Sequence, residues 1–295
     1  MSVKRNSGSF SGGGRIIEPF MKTVFLAAAC VSILCVALIC LFLFVNGVPA
    51  VLKIGVARFF TGTIWKPGSG LYGIAPMILG SLSVTAGAII TGVPLGVLCA
   101  VFMARFCPAR LRSIMSPAVT LLAGIPSVVY GFFGLMALVP ALRFLGAGNG
   151  KSILCASLLL GIMILPTIVS VSEAALRAVP DAYYEGALAL GASHEEAVFF
   201  AQLPAAAPGV MAGVVLGIGR SIGETMAVIM VAGNQAIIPE SIFKGVRTLT
   251  ANIVLEMGYA ADLHREALIA TAATLFVFIL LINLIFTFIK RRMTL

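Results

Sequence analysis

Charge is scarce in this sequence. Only 11% of the 295 residues are charged, whereas 60% are hydrophobic and the mean hydropathy is +1.10. An ordinary soluble domain carries about 25% charged residues. The apolar excess is spread over several long runs rather than gathered for one core, which excludes a water-soluble globular protein. Histidine and aspartate are nearly absent too, being confined to His194, His264, Asp181 and Asp262. The topology below puts the members of each pair on opposite sides of a membrane, so neither a metal site nor an intramembrane aspartyl pair can be built from them. Cys30, Cys35, Cys40, Cys99 and Cys155 lie inside apolar runs and Cys107 follows one, with no disulfide framework or metal-ligand spacing. The net charge of +9 comes from basic residues at the N-terminus and at the ends of apolar runs. That distribution is a topology signal, not a nucleic-acid-binding stripe.

Uncharged runs long enough to cross about 30 Å of hydrocarbon occupy 23–45, 77–104, 117–142, 152–172 and 267–289. A sixth, 209–232, qualifies if Arg220 and Glu224 are tolerated inside it. The chain is therefore expected to be an all-α integral membrane protein with six transmembrane helices. The first run has 23 residues, too long for the apolar region of a signal peptide, and reads as a retained anchor. Lys4, Arg5, Arg15, Lys22, the arginines at 105, 110 and 112, and Lys290, Arg291 and Arg292 place both termini on the cytoplasmic side. The expected organisation is a disordered cytoplasmic start (1–22), a first span (23–45) and an extracytoplasmic segment (46–76). A five-helix core (77–289) with a cytoplasmic loop at 180–204 follows, then a basic cytoplasmic end (290–295).

Two stretches imitate catalytic motifs. GAGNGKS at 146–152 looks like a phosphate-cradling loop, but Leu145 stands where the first glycine is required and no strand precedes it, so a turn is expected. HEEAV at 194–198 begins like a zinc-protease helix, yet Val198 replaces the second histidine. Neither completes a catalytic set, and no enzyme is expected. Glycine and proline recur within the spans, as at Gly92, Pro94 and Gly96, or Gly124, Pro126, Gly131 and Gly134. They serve either close helix packing or bending around a pathway.

The loop PDAYYEGALALGASHEEAVFFAQLP (180–204) reads as two short helices. Pro180 suits a first turn, Asp181 and Glu185 favour its N-terminal end, and Gly191 supplies a left-handed stop. Ser193 and Glu196 form a capping box for the second helix, which Pro204 or Pro208 is expected to close before the fifth span. Such a hairpin suits insertion into a partner's groove.

In Glu185, Gly186, Ala187, Gly191, Leu203 and Pro204 this loop resembles the EAA loop of ABC-importer permeases. WKPGSGLYGIAPMILGSL, LAGIPSVVYGFFG and RTLTANIVLE extend the likeness to the phosphate-specific branch, and the WxP opening favours its PstC-type over its PstA-type subunits. The resemblance implies a type I, MetI-like fold in the inner membrane and import of inorganic phosphate by alternating access. It also implies a homologous PstA-type permease, a PstB-type ATPase dimer gripping the loop and using ATP-Mg, and an extracytoplasmic PstS-type phosphate-binding protein. No cofactor in this chain and no nucleic acid are implied; membrane lipid is the remaining partner. Another oxyanion such as sulfate, molybdate or a phosphonate, or a non-ABC carrier or sensor, is the alternative.

A charge at bilayer depth costs about 3 kcal/mol or more, so Arg220 and Glu224 need a reason to be where they are. Four residues apart, they are expected to share one helix face and neutralise one another. Arg220's planar fork suits a tetrahedral oxyanion, and Glu224 would hold the arginine or hasten release; a buried register-fixing salt bridge is the alternative. Gly209, Gly213, Gly217 and Ser221 form a small-residue face for close helix packing, with the seam to a partner permease as one candidate use.

Overall fold

The computed structural model describes residues 14–146 and 148–293. The Gly/Ser-rich start at 1–13 and the last two residues lie outside them, and so do the side chains at 14–19 and 289–293, including Arg15, Lys290, Arg291 and Arg292. Among the described residues six helices are long and apolar enough to cross a membrane: Phe20–Ile54, Ala75–Phe106, Ser127–Phe144, Ile153–Ala178, His194–Gly223 and Asp262–Phe288.

Helix α1 (Gly14–Ile54) begins inside the stretch expected to be disordered and continues nine residues beyond the expected span end. Asn46 does not stop it because its side-chain amide donates to the Phe42 carbonyl one turn back at 2.7 Å. Gly55, at φ +95°, turns the chain into α2 (Val56–Thr61). A two-stranded hairpin, β1 (Trp65–Lys66) and β2 (Leu71–Tyr72), pairs Trp65 with Tyr72 and leads into α3 (Ala75–Val101), which widens into a π-turn at Phe102–Phe106.

The expected third span at 117–142 is not one helix. Its first part belongs to α4 (Ala109–Gly124), and a second rod starts at Ser127 as α5 (Ser127–Phe133), a π-turn and α6 (Val139–Phe144). Pro126 lacks an N–H, and its ring forces Ile125 into an extended conformation (φ −67°, ψ 127°). The Tyr130 hydroxyl donates to the Leu122 carbonyl at 2.9 Å and so ties the two pieces together across the break.

Helix α7 (Ile153–Ala178) is the centre of the fold. Chains in a membrane gain little hydrophobic drive from helix contact and associate through close van der Waals packing, and α7 is gripped on two sides through glycines. On α3, a Cβ built at Gly92 would lie 2.8 Å from the Gly161 carbonyl, and one at Gly96 would strike Ile168. On α10 (Leu203–Gly223), Gly209 faces Ala175, Gly213 faces Val171 and Ser172, and Gly217 faces Ile164 and Ile168. The small-residue face thus packs against α7 of its own chain rather than forming a seam with a second permease. Replacing Gly92 by Leu is expected to cost about 1–3 kcal/mol or more of overpacking, because the obstacle is backbone that cannot swing aside. Membrane level and detergent melting temperature of Gly92→Leu against Gly124→Leu, where a Cβ meets open space, check this.

Between these rods lie α8 (Ala182–Ala189) and α9 (His194–Glu196); after α10 come α11 (Met226–Val231) and α12 (Leu249–Glu256), and α13 (Asp262–Met293) closes the chain beside α1.

Candidate functional site

Two assemblies carry the chemistry, and α10 joins them. At one end is the hairpin. Helix α8 stops through two crossed bonds, Gly191 N–H to Leu188 and Ala192 N–H to Ala187, with Gly191 at φ +93°, the glycine-dependent ending that the sequence predicts. The Ser193 hydroxyl accepts from Glu196 N–H at 3.2 Å while the Glu196 carboxylate accepts from Ser193 N–H at 2.8 Å, completing the expected capping box. His194 packs edge-on against Phe106, and its Nδ1 shares a 2.7 Å hydrogen bond with the Tyr184 hydroxyl. It is a structural link across the hairpin, and among the described residues no group of histidine, cysteine or acid side chains could hold a metal. Within GAGNGKS, Gly146, Gly148 and Gly150 have positive φ, as turn glycines do.

The second helix of the hairpin does not end at Pro204 or Pro208. It runs from His194 through a π-turn at Ala197–Gln202 into α10, 30 residues without interruption to Gly223. The wide turn ahead of Pro204 absorbs both the missing N–H and the ring that would clash in a regular helix. A rod of about 45 Å therefore joins the hairpin to Arg220. Glu185, Gly186, Leu190 and Gly191 are exposed at its foot, where Phe200 (81% exposed) and Leu190 (91%) form an apolar surface.

Salt bridges fasten this foot to the spans. The buried Glu173 carboxylate on α7 accepts from Arg112 Nε on α4 at 2.9 Å and from Arg177 Nε at 3.0 Å. Arg177 also donates to the Met103 carbonyl, and Arg105 bridges Asp181 and the Leu176 carbonyl.

At the other end α10 stops at Gly223, and Glu224 is extended (φ −70°, ψ 132°) before α11 begins. The expected pairing of Arg220 with Glu224 on one helix face is therefore absent: no hydrogen bond or ion pair joins them. The break has a tertiary cause. Thr250 of α12 donates to the Glu224 carbonyl at 3.2 Å, taking a group that a continuous helix would use, while Glu224 Oε1 accepts from Thr225 N–H and Ala227 N–H, capping α11. Arg220 is half-buried, has no hydrogen-bond or ion-pair partner among the described residues, and lies within electrostatic reach of Tyr130 beside the Pro126 break. Its donors are free for an anion.

Behind Glu224 the hydroxyls of Ser81, Thr85, Ser221, Thr248 and Thr250 line a cavity of about 10 Å³, room for one water at most. Ser221 Oγ is buried there without a partner. Helix α12 leads outward from this cavity to a second buried carboxylate, Glu256, which accepts from Trp65 Nε1 at 2.8 Å and is bonded to Arg247 and to His264 Nε2. Arg247 also binds the Asn234 carbonyl and Asn252. Sequence reasoning missed Glu173, Glu256, Arg247 and Thr250. Glu173 stands directly after an uncharged run and was visible in principle; Glu256 and Thr250 have meaning only through contacts with distant segments.

Residues 92–295 match the family model described as a binding-protein-dependent transport system inner membrane component. The chain is 37% identical over 264 residues (88% of this chain, 85% of the relative) to a probable ABC transporter permease protein, YqgH, of Bacillus subtilis. It is 34% identical over 277 residues (87% and 84%) to the phosphate transport system permease protein PstC of Mesorhizobium japonicum. A probable phosphate transport system permease protein PstC of Methanocaldococcus jannaschii is 31% identical over 301 residues (94% and 95%). Among solved structures, a bacterial ABC transporter involved in import of the acidic polysaccharide alginate has a similar fold, with a TM-score of 0.64 at 19% identity over 95% of this chain and 100% of that one. The MetNI methionine ABC transporter aligns with a TM-score of 0.61 at 20% identity over 78% and 99%.

Proposed function

Because the chain belongs to the inner-membrane components of binding-protein-dependent transport systems, we propose that it is the ABC-importer permease through which inorganic phosphate moves inward, Arg220 being the attracting charge on the path. The carrying observation is the continuous rod from His194 to Gly223, which joins the exposed hairpin to Arg220, an arginine with no hydrogen-bond or ion-pair partner among the described residues. The naming of the PstC relatives supports phosphate as the anion. Its chemistry agrees: a guanidinium fork offers paired donors to a tetrahedral oxyanion, and the neighbouring Glu224 carboxylate disfavours prolonged residence, as conduction requires.

In this reading the hairpin is cytoplasmic, as the basic residues at 105–112 and the N-terminus suggest. Glu185, Gly186, Ala187, Gly191, Leu203 and Pro204 form the docking element for a PstB-type ATPase, which hydrolyses ATP-Mg; this chain carries no hydrolytic step. A PstA-type subunit completes the pathway opposite Arg220, and a PstS-type binding protein delivers phosphate to the outer face. Closure of the ATPase tilts the rod, moving Arg220 relative to α5 and exposing it alternately to either side. Labelled phosphate uptake by cells carrying the whole system, challenged with excess sulfate, molybdate or a phosphonate, tests the substrate. Uptake is expected to persist against all three and to vanish when this chain is deleted. Displacement of label by one of them would reassign the anion.

A further inference from the structure

Two π-turns meet where the hairpin joins the spans. One, Phe102–Phe106, widens the end of α3; the other, Ala197–Gln202, leads into α10. Phe106 of the first lies against Phe199 of the second, with ring centroids 6.5 Å apart. Each turn carries a polar side chain that the packing leaves unsatisfied. Gln202 is fully buried, and neither its amide nitrogen nor its amide oxygen has a hydrogen-bond partner among the described residues. Arg105 gives Nη1 to Asp181 and Nη2 to the Leu176 carbonyl, yet its Nε–H is buried without an acceptor.

The two groups are complementary, one a donor and the other an acceptor, and they border the same apolar cluster. Val198 and Ala206, four residues either side of Gln202, pack with Leu176 and Val179 at the end of α7 and with Ala104 and Phe106, the neighbours of Arg105. A buried amide with no partner costs folding free energy, and an apolar side chain of the same shape in its place is neutral or stabilising. The chain carries that cost on the rod that joins the hairpin to Arg220, inside a turn type that concentrates at functional sites. A π-turn holds one residue more than a regular helical turn, so tightening it rotates Gln202 about the rod without breaking the helix.

We propose, on the reading of this chain as a coupled permease, that Gln202 is a positioning residue of the transport cycle. Its unpaired amide destabilises the arrangement described here, and its oxygen accepts from Arg105 Nε–H when closure of the ATPase tilts the rod. The two π-turns thus form a two-position contact between hairpin and spans, with the resting position biased against itself. The experiment uses the assembled transporter, melted in detergent without ATP and assayed for phosphate uptake in proteoliposomes with its binding protein. Gln202→Met keeps the side-chain length and removes the amide. Its melting temperature is expected to rise by about 2–4 °C, with the ATPase still bound and the half-saturating phosphate concentration unchanged, while maximal uptake falls about tenfold, the equivalent of one charge-assisted hydrogen bond. Arg105→Lys keeps a charge for Asp181 but has no Nε–H, and is expected to lower maximal uptake similarly. Combining the two is expected to cost no more than either alone, because both remove the same contact. A lower melting temperature in Gln202→Met, unchanged uptake in either variant, or losses that multiply in the double variant overturn the proposal. The melting shift needs no substrate, and uptake is compared on whichever anion the intact system carries, so an error in the choice of phosphate is told apart from an error in the contact.

Discussion

Glu256→Ala is expected to cost the permease about 3–5 kcal/mol, the range measured when one member of a buried ion pair is removed, and with it most of the folded protein in the membrane. The Glu256 side chain is 9% exposed and that of Arg247 19%, so the guanidinium left behind has little access to water. Trp65 and His264 lose their partner in the same step. Because β1, the 247 region, α12 and α13 all meet at this carboxylate, the damage spreads to four segments rather than one. Membrane abundance and melting temperature in detergent measure it. Lys53→Ala breaks an exposed pair and should change either by no more than about 1 kcal/mol.

The second large effect is expected at Gly191. Its φ of +93° is open to glycine and costly for a residue with a Cβ, about 1–2 kcal/mol in the left-handed region and more for a β-branched one. No neighbour lies within 4 Å of a Cβ built there, so the penalty is conformational and not steric crowding. Gly191→Val should therefore leave the spans folded while disordering the end of α8, because both bonds that stop the helix depend on that turn. In the proposed mechanism it abolishes capture of the ATPase and cuts uptake by at least about tenfold, the equivalent of 1.4 kcal/mol, at normal membrane level. Co-purification of the ATPase with the variant, together with uptake, checks it; full uptake would remove the hairpin from the coupling route.

Most of the architecture is legible in the sequence because membrane solvent imposes a simple requirement, long uncharged helices with satisfied backbones. Four of the six spans, Phe20–Ile54, Ala75–Phe106, Ile153–Ala178 and Asp262–Phe288, cover the expected runs almost end to end. The exceptions have specific causes. Asn46 looks like a span end but bonds to its own helix, so α1 runs on to Ile54. Pro126 stands in plain view, but the apolar run around it hides that the helix breaks there. The hairpin was readable residue by residue because capping boxes and glycine stops are local chemistry, whereas the π-turn that lets its second helix pass Pro204 leaves no comparable mark. At the candidate site, charge within an apolar run singles out Arg220 and Glu224. Their geometry was misjudged because a hydroxyl from Thr250, 26 residues further along, breaks the helix between them. Spacing rules assume an unbroken helix and cannot detect such a contact. The glycine face of α10 was recognised as a packing surface, but composition alone does not say which helix covers it.

The proposed role of Arg220 is to move phosphate at the end of a coupling rod. It is tested most directly by labelled phosphate uptake at low concentration, in cells carrying the whole system, with the intact chain or with Arg220→Gln at equal membrane level and equal ATPase association. Loss of one charge-assisted contact worth about 1.5–3 kcal/mol predicts uptake reduced by about tenfold or more. Uptake equal to that of the intact chain would contradict the account and leave Arg220 outside the transport path.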